Sequence, residues 1–347
     1  MNSDSRRLVI VLGSGRSGTS LLMQILVGMG IEVSNNLIPA NVSNPEGFFE
    51  DLNIKEIQTE LYSCLNVSSV MLPLPENWLS SECAIKAKSN LNQVLQGLLN
   101  EHSGTLGIKD PRIATFLNLW TRLFNPMRIV PSYILAVREP QSVISSFIRQ
   151  YNDQGHIAEL VWLLRTLEAI ENTAADCFIA HYEDWFDKPL PLAQSLMNFT
   201  GLDKYFQGDL SEMLKQKVKP NLNRASKDDY EIQNPYVIKL YSALQQCHGA
   251  DFDRDRLMAV VKDCRQAIEG FKGWYQLAHQ ANKKLADTQG RLEKAITEAA
   301  KAKTLEARVR ELESEKVQTA EWVQHVQKLE RQVEQLVAIS SVRLKSE

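Results

Sequence analysis

The stretch Leu8–Leu22 reads LVIVLGSGRSGTSLL. A short apolar run of strand character enters a turn holding Gly13, Gly15 and Gly18, and the apolar spacing beyond it is helical. A strand, a glycine-rich turn and a helix in that order make an anion-binding loop. Backbone N–H groups and the helix dipole at the helix start favour negative charge. Thr19 and Ser20 add hydroxyl donors, and Arg16 adds a permanent, planar cation. The helix is expected to open at Leu21. The Walker pattern G-x-x-x-x-G-K-[ST] is not met, because Thr19 stands where its lysine belongs.

The chain has 347 residues, 44% hydrophobic and 23% charged, which is enough for a sizeable core and unlike a disordered chain. A formal net charge of -3 carries no basic excess for nucleic acid, so an anion site must be local. The five cysteines, at 64, 83, 177, 247 and 264, form no C-x-x-C pair. Their odd, scattered placement points to reduced, structural thiols. Arg6-Arg7 followed by LVIVLG resembles a leader start, but the apolar run is too short for one and enters the glycine loop with no cleavage site; no run approaches the roughly 18 apolar residues a membrane span needs. The expectation is a cytoplasmic protein with no membrane span.

All 12 prolines lie between Pro39 and Pro235, and this divides the chain. The first part alternates short apolar runs with helical patterns, the signature of α/β architecture around a parallel sheet. Strands are expected at Leu8–Leu12, Thr105–Ile108, Ser132–Val137 and Cys177–Tyr182, and helices include Pro140–Tyr151 and Pro189–Thr200. Farther on, Trp274, Leu277, Ala281, Leu285, Thr288, Leu292, Ala295, Ala299, Ala302, Val309 and Leu312 recur at spacings of mostly three and four, and Trp322, Val326, Leu329, Val333 and Leu336 repeat them. This is a coiled-coil pattern with an alanine-rich seam and a frame slip; a solitary charged helix is the alternative. The expected organisation is a P-loop-like three-layer domain over residues 1–235, a helical connector over 236–270 and a coiled coil over 271–343.

A second basic motif lies in YILAVREPQSVISSF. Arg138 ends a strand, Pro140 starts a helix, and Ser146 stands eight residues after Arg138. Two further segments carry charge: NPEGFFED at Asn44–Asp51, and GIKDPR at Gly107–Arg112. Asp110 and Glu139 each follow a cation, Lys109 and Arg138, an arrangement better suited to holding an anion than a metal.

Together these motifs resemble the sulfotransferase family, bacterial-type, which uses 3′-phosphoadenosine 5′-phosphosulfate (PAPS). The family loop [KR]-[SG]-G-T-[ST] is similar to Arg16-Ser17-Gly18-Thr19-Ser20, and the resemblance covers roughly residues 7–225. It implies that Gly15, Arg16, Ser17, Gly18, Thr19 and Ser20 wrap the 5′-phosphosulfate, with Arg16 facing the bridging oxygen. It implies that Arg138 and Ser146 take the 3′-phosphate. Lys109 resembles a lysine that stabilises the transferring sulfuryl group; Asp110 would orient it or the loop, and Arg112 would be structural. The acidic segment offers Glu50 and Glu46 as the base that deprotonates the acceptor, Glu50 first; alternatively Glu50-Asp51 caps a helix starting near Leu52. His156 is a weaker candidate base, and Arg224 a weak candidate for the cofactor. YEDW at Tyr182–Trp185 also resembles a family segment and receives no chemical role.

The implied reaction is in-line sulfuryl transfer to a hydroxyl acceptor, a saccharide by analogy, with no metal and no nucleic-acid partner. The C-terminal helix would serve a homo-oligomer or a partner protein. Two other readings stand beside this one: an ATP- or GTP-dependent phosphotransferase with a degenerate loop, and a non-catalytic coiled-coil scaffold. The former requires a magnesium carboxylate and a lysine in the loop. The latter has no use for Arg16, Lys109, Arg138 and Ser146.

Overall fold

The structure is a computed structural model that describes residues 7–40, 47–67, 74–151, 155–219 and 230–343. Strand β1 (Leu8–Leu12) leads through the glycine loop into α1 (Thr19–Gly28), two residues earlier than expected. Helices α2 (Leu52–Cys64) and α3 (Glu82–Glu101) precede β2 (Leu106–Lys109), and α4 (Ile113–Met127) precedes β3 (Ser132–Val137). Then come α5 (Pro140–Tyr151), α6 (Gly155–Asn172), β4 (Phe178–His181), α7 (Asp184–Asp187), α8 (Pro189–Thr200) and α9 (Leu210–Lys217). Last are α10 (Pro235–Leu244), α11 (Arg254–Gly270) and α12 (Lys272–Arg343).

The four strands are parallel, in the order β2-β1-β3-β4. Every β1 residue is buried, so its side chains must be apolar on both faces. Leu8, Ile10 and Leu12 enter one core, with α2, α3, α4, α6, α10 and α11. Val9 and Val11 enter the other, with α1, α8 and α9. Helices on both faces of a parallel sheet give three layers. Single-residue bridges extend the outer strands: Glu32 pairs beside Leu106, and Gly249 beside Ile179.

The chain divides into two compact units, Met1–Leu277 and Ala278–Glu347. In the first, α10 and α11 complete the core through Val237, Leu240, Leu244, Leu257, Val261 and Ile268. The segment entering α10 is tied by buried Glu159, which accepts from the Gln233 and Asn234 backbone N–H groups and the Tyr230 hydroxyl. The second unit is one helical stretch belonging to α12, along which Leu285, Leu292, Ile296, Leu305, Val309 and Leu312 are exposed. No helix among the described residues is long and apolar enough to cross a membrane.

The expectation of reduced thiols throughout is corrected here. Cys64 and Cys83 form a disulfide, while Cys177, Cys247 and Cys264 are free and buried. The bond joins the last residue of α2 to the second residue of α3, and these helices pack against each other. The linear spacing of 19 residues carries no sign of that approach. Closing a loop of this length stabilises a fold by about 3 kcal/mol in the chain-entropy view. Reduction with a dithiol, or Cys64→Ser with Cys83→Ser, is therefore expected to lower the urea midpoint, while Cys247→Ser alone leaves the reductant effect in place.

Candidate active site

The glycine loop sits at the C-terminal ends of β1 and β3, where the order β2-β1-β3-β4 sends the chain to opposite sides of the sheet. Such a switch point opens a crevice for ligands in α/β folds. Gly13 has φ 140, and a Cβ there would stand 2.7 Å from the Ala136 carbonyl of β3. Gly18 has φ 80, and a Cβ there would fall 2.2 Å from the Tyr182 ring. Arg16 also lies in the left-handed region, at φ 68, which costs a non-glycine residue on the order of 1 kcal/mol. Helix α1 begins at Gly18 with no side-chain cap and no acid in its first turn. Ser14 and Ser17 bury their hydroxyls without a hydrogen-bond partner among the described residues.

The loop is joined to the second motif. Arg16 Nε donates to Ser146 Oγ at 3.0 Å, and Arg138 Nη1 donates to the Arg16 carbonyl at 3.2 Å. Parallel pairing of Leu12 with Leu135 carries both loops off the same end of the sheet, which closes a gap of more than 120 residues in sequence. The resemblance placed Arg16 at the bridging oxygen and Ser146 on another phosphate; in the structure their side chains bond directly. Arg138 is 7% exposed, and burial pulls its guanidinium below the ordinary arginine value, with Glu183 and Glu139 opposing. Thr19 is buried in the first turn of α1, and Ser20 follows it there.

Lys109 ends β2 beside Val11 of β1 and is buried. Its Nζ donates to Glu50 Oε1 at 2.8 Å and to the Phe48 carbonyl at 2.9 Å. The other Glu50 oxygen meets Arg112 Nη1 at 3.4 Å. Arg112 also holds Asp110, at 2.8 Å. Burial pushes the Asp110 carboxyl above the ordinary carboxylate value, and Arg112 opposes that push. Asp110 is thus paired with Arg112, and Lys109 is oriented by Glu50.

Capping falls to Asp51, not Glu50. Asp51 accepts the Ile54 N–H at 2.9 Å and the Ser34 hydroxyl at 2.5 Å, so it starts α2. Glu46 and Arg224 lie outside the described residues. His156 is exposed in the first turn of α6. Arg165 escaped the sequence reading, and Arg112 and Tyr182 carry contacts that reading did not assign. Arg165 donates to the Pro111 carbonyl and holds the turn after Lys109. Arg112 bridges two carboxylates. Tyr182 lies under the Arg138 guanidinium, 4.1 Å from its ring centre. The sequence signal for Tyr182 was its place at the expected strand end, in the YEDW segment that resembles a family motif.

No protein-family model matches the chain, and no curated protein matches it. Two solved structures are similar to it. The sulfotransferase domain from the curacin biosynthetic pathway is 18% identical over 74% of this chain and 98% of that one, with a TM-score of 0.37. The sulfotransferase domain from the Synechococcus PCC 7002 olefin synthase is 19% identical over 75% of this chain and 96% of that one, with a TM-score of 0.36.

The arrangement is a cationic cradle at a switch point, with a buried lysine on the adjoining strand. Glu50 is the shared counter-ion of Lys109 and Arg112, and removing one partner of a buried pair leaves the other charge uncompensated. Glu50→Gln is expected to cost about 3 kcal/mol of stability in urea denaturation. A Glu50→Gln protein as stable as the parent would show that the carboxylate does not anchor Lys109.

Proposed function

We propose that the chain is a sulfotransferase that moves a sulfuryl group from PAPS to a hydroxyl acceptor. The observation that carries this reading is the interlock of Arg16, Ser146 and Arg138, two basic motifs meeting at the anion-binding start of α1. The residues fit such a group: α1 offers uncapped N–H donors, and Ser14 and Ser17 keep buried hydroxyls without partners among the described residues. PAPS, when bound, supplies an activated sulfuryl group with a good leaving phosphate.

In this reading the loop Gly15–Ser20 and Arg16 bind the 5′-phosphosulfate, and Arg138 with Ser146 binds the 3′-phosphate. Charge-assisted bonds to phosphate oxygens are stronger than neutral ones, which favours the guanidiniums. Lys109, oriented by Glu50, stabilises charge that develops on the sulfuryl oxygens. Glu50 remains the proposed base of the described acids, and Glu46 is the alternative. The proposed acceptor is a saccharide hydroxyl, supported by the resemblance of NPEGFFED and GIKDPR to bacterial-type members.

Transfer of radiolabelled sulfate to a panel of saccharides tests the reaction. Arg16→Ala and Lys109→Ala are each expected to lower transfer by about 100-fold, the effect of losing one donor to developing charge. Arg138→Ala is expected to weaken adenosine 3′,5′-bisphosphate binding by roughly 10- to 100-fold, as for a charged hydrogen bond. An Arg138→Ala protein with parental affinity would overturn the assignment.

We further propose that α12 pairs with the same helix of a second copy, its apolar stripe being exposed in one chain. Light scattering of the 347-residue chain should give a multiple of its 39.3 kDa mass. A monomer at micromolar concentration would leave the stripe to a partner protein instead.

A further inference from the structure

Tyr182 is the first residue after β4. Val137 pairs with His181, so Tyr182 and Arg138 leave neighbouring strands at one level, and the Tyr182 N–H donates to the Val137 carbonyl at 2.8 Å. Tyr182 is 5% exposed, and two of its ring's neighbours are of different kinds. One is the Arg138 guanidinium, 4.1 Å from the ring centre. The other is Gly18, where a Cβ would stand 2.2 Å from the ring edge. Phe186 packs edge-on against the same ring, with centres 5.2 Å apart, so Tyr182 is held in place from its own chain segment.

A guanidinium recognises phosphate through a planar fork, and the fork's orientation decides how many oxygens it reaches. The bond to the Arg16 carbonyl fixes one edge of the Arg138 fork; the Tyr182 ring, with the guanidinium carbon over it, restrains the tilt. Only glycine at position 18 leaves room for that ring. The YEDW segment therefore supports both halves of the cradle at once.

We propose that Tyr182 is a positioning residue for 3′-phosphate recognition: its ring fixes the plane of Arg138 and braces it against the start of α1 at Gly18. This rests on the sulfotransferase reading of the site. The consequence is a selective one. Losing the ring weakens the preference for nucleotides bearing a 3′-phosphate more than it weakens nucleotide binding as such.

The test compares calorimetric affinities for adenosine 3′,5′-bisphosphate and adenosine 5′-monophosphate. In the parent protein the bisphosphate is expected to bind more tightly. Tyr182→Phe keeps the ring, so the affinity ratio should stay within about 2-fold. Tyr182→Leu should reduce the ratio by about 30-fold, the scale of a desolvated cation–π contact, with the monophosphate affinity changed little. Tyr182→Met, whose flexible side chain adapts to the same space, provides a second ring-less variant, and thermal midpoints verify that each variant is folded. A ring-less variant that keeps the parental ratio, or that loses both nucleotides equally, overturns the proposal while the site reading stands. A parent protein without preference for the bisphosphate overturns the site reading and this proposal with it.

Discussion

The parallel pairing of β1 with β3 is the constraint on which the rest of the site depends. It sets Leu12 beside Leu135, so that the chain leaves both strands at one end of the sheet. Only then can Arg138 reach the Arg16 carbonyl and Arg16 reach Ser146. Arg16 holds a left-handed backbone that costs energy, and a hydrogen bond at its carbonyl helps to hold it there. Gly13 allows the loop to pass over Ala136 of β3, and Gly18 makes room for Tyr182 after β4. Three strands thus hold one turn.

A second set of forces prepares the neighbouring strand end. A buried lysine is costly to charge unless a carboxylate stands beside it. Glu50 supplies that carboxylate from just ahead of α2, and Arg112 shares it from the turn after β2. Arg165 holds that turn through the Pro111 carbonyl from α6. The helix start is secured separately, by Asp51, so Glu50 is released from capping. Two adjacent acids with the same local composition acquire different tasks because one lies within reach of the α2 N–H groups and the other of Lys109.

Much of the architecture was legible without coordinates. Three- and four-residue apolar periodicity and short apolar runs placed all four strands within two residues of their observed ends, and α5 and α8 at their observed bounds. Proline at the start of each of these helices and glycine after α8 are local signals, and local signals survive in sequence. The cysteines show the limit. Cys64 and Cys83 carry no pairing signature, and their bond follows from two helices meeting. The Glu50–Lys109 pair is of the same kind, 59 residues apart along the chain. Tyr182 was visible as part of a segment, yet its task depends on β4 lying next to β3 and on an α1 start that faces both strands.

The amino-acid sequence by itself determined the strand–loop–helix unit, its glycines and its cation, and the presence of a second basic motif at a strand end, because backbone preference and charge are properties of neighbouring residues. Tertiary structure alone decided that Arg16 bonds Ser146, that Glu50 serves Lys109 while Asp51 caps a helix, and that Tyr182 lies under Arg138. Those are contacts across strands and helices, and their geometry exists only once the sheet order has brought the distant segments to one edge.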